Sequence, residues 1–292
     1  RLVVKLSNLS GVVPVSLIIH GIILRDKEAV FGGGFADIYK ASYKGQEVAM
    51  KRMRVFQRGP EQHKMHQAFC KEAILWKSFN HPNVLPFLGV DSSVFPPNLC
   101  MVSPWMHCGT ILRHLSENWG VNIDKLIDEI AQGLGYLHSQ KVVHGDLRGN
   151  NILINDRWEA CLADFGLSII SDATLSKESS NRHGSVRWMA PELLQPEAFE
   201  LDRFVRTTAS DIYAFGCVCL EVYTGKPPFV DVVHEPAVMF GVLEGKRPVQ
   251  PSSDAGRPIS NNVWSLIEQC WSQEPSARPS TRRVIEIMEE WK

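Results

Sequence analysis

Ile123, Leu126, Ile127, Ile130, Leu134 and Leu137 recur three and four residues apart. Positions so spaced share one face of an α-helix, so this stretch predicts an amphipathic helix with a buried stripe. Ala214–Tyr223 is apolar almost throughout and predicts a helix buried on every side. Val284, Ile285, Ile287, Met288 and Trp291 predict a last amphipathic helix. The first third of the chain is patterned differently. Ala29–Ile38 and Gln46–Met53 read as two strands joined by a Lys44-Gly45 turn. Asn98–Ser103 is a short apolar strand, Pro104-Trp105-Met106 a connector, and Gln62–Lys77 the one helix of this region. A small β-rich part ahead of a larger helical part is an α+β layout.

The chain has 292 residues, room for one large domain or two fused lobes. At 44% hydrophobic and 22% charged it can bury a full core without disulfides or metals. A net charge of −1 points away from nucleic acid or an anionic membrane as a main partner. The seven cysteines are odd in number and form no C-x-x-C pair. That pattern predicts buried free thiols in a reducing compartment, hence a cytoplasmic protein. Gly11–Leu24 is apolar but holds Pro14 and His20, and a spanning helix needs about 20 apolar residues. No signal-peptide cleavage pattern follows it. The expectation is a buried β segment, with residues 1–22 an extension packed on the β-rich part. The chain starts at Arg1 rather than Met and is expected to be a piece of a longer protein.

Four motifs stand in order. They are Val48-Ala49-Met50-Lys51, then His144-Gly145-Asp146-Leu147-Arg148-Gly149-Asn150-Asn151, then Asp164-Phe165-Gly166, then Ala190-Pro191-Glu192. Each alone is weak; the ordered set resembles the signature of the eukaryotic protein kinases over about Ile23–Lys292. The resemblance implies a bilobal α+β kinase fold, with a small lobe over 23–103, a hinge over 104–106 and a helical lobe over 107–292. It implies ATP as donor, Mg²⁺ as cofactor and a protein substrate as acceptor. Phosphoryl transfer asks the protein mainly to position groups and neutralise charge.

Carried over residue by residue, Lys51 matches the lysine that pairs with the α- and β-phosphates. Glu72, nine residues before His81-Pro82-Asn83, matches the glutamate that steadies it, with Glu61 as rival. Phe69, Ile74, Leu75 and Trp76 place Glu72 beside an apolar stripe. Asn151 and Asp164 match the magnesium ligands, and oxygen donors suit that hard cation. Asp146 matches the residue that takes or orients the acceptor's hydroxyl proton. Arg148 stands where Ser/Thr kinases usually carry Lys and many tyrosine kinases Arg; its guanidinium can hold a γ-phosphate with two parallel bonds. For the adenine end, Ser103 resembles the gatekeeper, the Pro104 carbonyl accepts and the Met106 N–H donates. Val30, Ile38, Ala49 and Leu153 supply apolar surface, and Gly32, Gly33 and Gly34 the phosphate-facing loop. His144 beneath Phe165, the Glu192–Arg278 ion pair and Asp211 match structural residues. Trp76, Phe87, His144 and Phe165 resemble the family's apolar spine.

Two departures matter. In Phe31-Gly32-Gly33-Gly34-Phe35-Ala36, Phe31 and Ala36 occupy the first and third glycine positions of G-x-G-x-x-G. Gly145 stands where the family often has the Arg that reads a phosphate on the activation loop, so loop phosphorylation is not expected to act through that pairing. Ser185-Val186-Arg187-Trp188-Met189, with Cys270-Trp271, resembles the tyrosine-kinase-like group, which includes the Raf-type kinases and mostly modifies Ser and Thr. A pseudokinase, from the glycine run and Gly145, and a tyrosine-specific kinase, from Arg148, stay open as alternatives. The motifs specify neither the protein substrate nor the oligomeric state.

Overall fold

Lys44 and Gly45 hold left-handed backbone angles, φ +50° and +80°, which make the tight turn whose twist matches antiparallel strands. Around that turn β3 (Ala36–Tyr43) and β4 (Gln46–Met53) pair without a break from Tyr43↔Gln46 to Ala36↔Met53. The structure is a computed structural model that describes residues 13–32, 36–53, 60–165, 186–251 and 257–291. Gly33, Gly34, Gly166, Gly184, Ser185 and the loop hydroxyls from Ser168 to Ser180 lie outside these residues, as does the side chain of Glu61. The chain divides into two compact units, the first ending at Met106 and the second opening at His107.

In the first unit, β1 (Ile23–Leu24), β2 (Phe31–Gly32), β3, β4, β5 (Gly89–Asp91) and β6 (Cys100–Pro104) form one antiparallel sheet in the order β1-β3-β4-β6-β5, with β2 also on β3. Side chains alternate between the faces of a sheet. Tyr39, Ala41, Val48, Met50, Cys100 and Val102 therefore share one face and pack with Ile22 as a core. The register sends Ile38, Lys40, Ala49, Lys51, Met101 and Ser103 to the other face, and Phe31, paired with Ile38, joins them. Helix α1 (Pro60–Lys77) follows β4.

Two expectations need correction here. The strand before the turn is not Ala29–Ile38 but Ala36–Tyr43, because the turn requires pairing to begin at Tyr43; Phe31–Gly32 is a separate short strand. The N-terminal apolar stretch is not a continuous β segment. It makes a 3₁₀ turn at Val15–Leu17, one bridge from Ile18 to Val90, and β1. Leu17 and Ile22 are buried while Val15 and Ile23 face water, which is the spacing of an irregular segment.

The second unit holds α2 (Ile111–Glu117), α3 (Ile123–Ser139), α4 (Pro191–Leu194), α5 (Thr208–Thr224), α6 (Glu235–Leu243), α7 (Asn261–Cys270) and α8 (Thr281–Glu289), with the hairpin β7 (Ile152–Ile154)/β8 (Ala160–Leu162) packed on α2 and α3. Their starts are written in the sequence. Asn122, Ser260 and Ser280 each accept a backbone N–H of the first turn, and Thr207 and Ser210 cap α5 reciprocally. Each such cap contributes about 1 kcal/mol. Helix α5 ends where Gly225 adopts φ +66°. Every residue of α5 from Ser210 to Tyr223 is buried. A β-carbon at Gly216 would come within 3.0 Å of Cys270 Cβ, so this glycine lets α5 and α7 approach. Trp291 falls beyond the end of α8 rather than on its stripe. All seven cysteines are free and all but Cys108 are buried; burial pushes the thiols of Cys100, Cys161 and Cys217 up to about 12. Among the described residues no helix is long and apolar enough to cross a membrane.

Tyr213 on α5 is wholly buried, with the guanidinium of Arg247 5.1 Å and that of Arg278 5.2 Å from its ring. Its hydroxyl has no hydrogen-bond partner among the described residues. Tyr213→Phe keeps the ring contacts and removes the orphaned group, whose burial costs about 1–3 kcal/mol. The variant is expected to match or exceed the wild type in chemical denaturation. A loss above about 1 kcal/mol would show that the hydroxyl is satisfied after all.

Candidate active site

The first unit brings its candidate residues to one sheet face and one helix. Lys51 is 7% exposed on β4, opposite Ile38 on β3 and Met101 on β6. Ala49 lies opposite Ser103, which is itself buried. Glu72 is 6% exposed on α1. Phe69, Cys70, Ala73 and Trp76 are the buried residues around it, while Ile74 and Leu75 are only half-buried. Glu72 thus lies within the buried stripe rather than beside it, since 69, 72, 73 and 76 share a face. A carboxylate there is costly without a partner. Trp76 donates its indole N–H to Leu85 O at 2.6 Å and packs on Phe87 at 5.0 Å.

The connector is held by backbone. Trp105 N–H donates to Glu47 O at 3.1 Å, and Pro104 ends β6 opposite Val48. Pro104 and Met106 are half-buried, Val30 and Gly32 exposed. One feature here went unread in the sequence. Phe31 stacks on Trp105 at 6.5 Å and 19°, with the Lys40 ammonium 5.1 Å from the same indole. Ile38 and Lys40 follow the two-residue period of one face, but Phe31 joins that face only through its pairing with Ile38 across β2 and β3.

The second unit builds its candidate residues around a loop pinned by α5. Asp211 Oδ2 accepts the His144 N–H and Oδ1 the Gly145 N–H, both at 2.8 Å. His138 Nε2 lies 2.8 Å from Asp211 Oδ2. Gly145 sits at φ +80°, which glycine adopts without a β-carbon penalty. Next to it, Asp146 accepts from Asn151 Nδ2 twice, at its carbonyl (2.7 Å) and at Oδ2 (2.9 Å). With its NH₂ group so engaged, Asn151 keeps its amide oxygen for a further contact. Arg148 Nε lies 3.5 Å from Asp146 Oδ2. Strand β8 delivers Asp164, at φ +56°, and the Ala163 N–H donates to Asn151 O at 2.9 Å. The loop and the end of that strand are therefore stitched together, with Asp146, Asn151 and Asp164 in one connected segment.

His144 is fully buried and meets Phe165 edge-on at 6.3 Å; burial lowers its pKa. Leu153, half-buried on β7, bridges to Thr110. Glu192 and Arg278 pair through two bonds of 2.7 Å. Sequence reasoning missed Glu221, whose Oε2 accepts the Gly149 N–H at 2.8 Å and the Trp188 indole N–H at 2.9 Å. Burial raises its carboxyl to about 7 against those bonds, which pull it down. A lone carboxylate in the apolar run Ala214–Tyr223 was the available sign of a buried, partnered acid.

A family model described as protein tyrosine and serine/threonine kinase matches residues 24–288. The chain is 31% identical to the serine/threonine/tyrosine-protein kinase HT1 of Arabidopsis thaliana, a match covering 89% of this chain and 64% of that protein. It is 28% identical to the serine/threonine-protein kinase STY46 of the same plant, over 89% of this chain and 43% of that one. A putative serine/threonine-protein kinase/receptor, R831, of Acanthamoeba polyphaga mimivirus is 30% identical over 89% of this chain and 16% of its own length. The chain thus spans less than two thirds of these curated relatives. With the motif residues on the strands and loops described, and the match running over nearly the whole chain, the chain belongs to the protein tyrosine and serine/threonine kinase family.

Proposed function

We propose that this chain transfers the γ-phosphate of ATP to serine or threonine hydroxyls of a protein substrate. The observation that carries this reading is the setting of Asp146. Its carboxylate is oriented by Asn151, has Arg148 beside it, and stays partly open to an incoming hydroxyl. On this reading Asp146 takes or orients the acceptor's proton and Arg148 faces the phosphate being transferred. In the first unit, Lys51 answers the phosphate charge and Glu72 holds its stem. Ile38 and Ala49 cover the base, and Pro104 O and Met106 N–H bond its edge.

The donors also suit magnesium. Asn151 offers a pre-oriented amide oxygen and Asp164 a carboxylate, hard ligands of the kind that share this cation with phosphates. Among the described residues no group of three or more His, Cys, Asp or Glu forms a metal cage, which a phosphate-shared cation does not need. Bound Mg²⁺ would neutralise phosphate charge. STY46 and R831 are named as serine/threonine-protein kinases, which supports the Ser/Thr reading, while HT1 is named for all three hydroxyl residues. We also infer a reducing, cytoplasmic setting, supported by seven free cysteines.

The test is transfer from labelled ATP–Mg²⁺ to a degenerate peptide array, with phosphoamino-acid analysis of the products. Phosphoserine and phosphothreonine are expected to dominate. Mainly phosphotyrosine would overturn the acceptor class. The pseudokinase alternative draws on Phe31 and Ala36. It would be favoured by absent transfer together with no thermal shift at millimolar ATP–Mg²⁺, where a ligand at about 100 times its Kd adds roughly 2.7 kcal/mol.

A further inference from the structure

Helix α5 is apolar and buried, yet it carries two carboxylates that point at one loop. Asp211 holds the loop's beginning, at the amides of His144 and Gly145. Glu221 holds its end, at the amide of Gly149. The two acids are ten residues apart, about 15 Å along a helix rising 1.5 Å per residue. Asp146 and Arg148 lie between the two attachment points. A single rigid element therefore clamps the catalytic segment at both ends.

The second clamp is shared. Glu221 is 2% exposed, and the oxygen that accepts from Gly149 also accepts from the indole of Trp188. Gly149 leaves no room for a side chain, since a β-carbon there would come within 2.8 Å of Leu112, so the loop packs closely on α2 at this point. The segment bearing Trp188 is tied on its other side by Arg187, which donates to the carbonyls of Pro228, Phe229 and Val232. Trp188 itself is half-buried.

We infer that Glu221 is a positioning residue that couples Trp188 to Gly149 through one carboxylate oxygen, so that the Trp188 bond helps set the placement of Asp146 and Asn151. The inference rests on the kinase reading above. On that reading Glu221, 2% exposed, acts through its partners rather than on nucleotide or acceptor. Its effect passes through the Gly149 amide into the 3₁₀ turn Gly149–Asn151, and from Asn151 Nδ2 to the Asp146 carboxylate.

The experiment uses three single variants and one double, each checked for folding. Trp188→Phe keeps the ring and deletes the N–H. Glu221→Ala removes the acceptor. Glu221→Gln keeps an acceptor oxygen without the charge. Loss of a charge-assisted bond predicts that Trp188→Phe and Glu221→Ala each lower kcat about tenfold or more, with KM for ATP within about twofold. Glu221→Gln is expected to recover most of the Glu221→Ala loss. The double variant Trp188→Phe/Glu221→Ala is expected to be no worse than Glu221→Ala, because both changes break the same coupling. Hydrogen exchange at the Gly149 amide is read in parallel and requires no turnover. It should accelerate in Trp188→Phe as well as in Glu221→Ala. Independent, multiplying effects on kcat, or wild-type Gly149 exchange in Trp188→Phe, would overturn the coupling. Absent transfer by the wild type, with the exchange result intact, would instead overturn the kinase reading. Should Glu221→Ala not fold, Trp188→Phe and Glu221→Gln decide the matter through the same two readouts.

Discussion

Asp146→Asn is expected to lower kcat about 10²–10⁴-fold, the range a positioned acid–base group supplies. Nucleotide affinity should stay within about twofold, since on the proposed reading the side chain acts on the acceptor and not on ATP. The geometry makes this a clean change. Asn151 Nδ2 donates to the Asp146 side chain and to its carbonyl, and an amide oxygen at position 146 still accepts the first of these bonds. The loop keeps its attachments at Asp211 and Glu221. What disappears is the negative charge beside Arg148 and the ability to take a proton. Asp164→Asn provides the contrast. On the proposed reading that change weakens an oxygen ligand of the magnesium ion, so magnesium-dependent nucleotide binding and transfer should fall together. Single-turnover transfer and nucleotide titration on the two variants separate the cases. Wild-type turnover in Asp146→Asn would remove this residue from the chemistry.

The helical period made much of the second unit legible. Ile123, Leu126, Ile127, Ile130, Leu134 and Leu137 are all buried on α3, and Ala214–Tyr223 on α5 is buried throughout, as their patterning predicts. Strands were harder. The glycine run from Gly32 to Gly34 blurred where one strand ended and the next began, and only the turn at Lys44-Gly45 fixes the pairing. The motif residues could be named from their order. Of their supports, Asp211 could be named only through the family resemblance and Glu221 was missed, because these bonds join positions far apart in sequence: Asp211 reaches back 67 residues to His144, and Glu221 72 residues to Gly149. No local period encodes such a bond. Glu72 shows a milder version of the same limit. Its place on α1 was readable, but Ile74 and Leu75 looked like the buried face, when the packed stripe runs through Phe69, Ala73 and Trp76.

Arg278→Ala should destabilise the fold by about 3–5 kcal/mol, the loss seen when one partner of a buried ion pair is removed. Arg278 is 7% exposed and Glu192, its partner on α4, is 1% exposed. Two parallel bonds of 2.7 Å join them. The guanidinium also donates to the carbonyls of Ser272, Ala209 and Gln273, and packs against the Tyr213 ring. Its removal strands a buried carboxylate and three carbonyls, and it empties one face of that ring. The pair itself is a weaker net term than its bonds suggest, since taking both charges out of water is costly. Glu192→Leu/Arg278→Met tests that balance. With both charges gone, the double variant should be more stable than Arg278→Ala, yet short of wild type because the three carbonyls stay unmet. At about 2–4 °C per kcal/mol for a chain somewhat smaller than this one, Arg278→Ala should lower Tm by roughly 6–20 °C. Urea denaturation at unchanged m-value gives the same comparison without relying on reversible melting. A loss below about 1 kcal/mol would mean that water reaches Glu192 once the arginine is gone, and that α4 is not held by this pair.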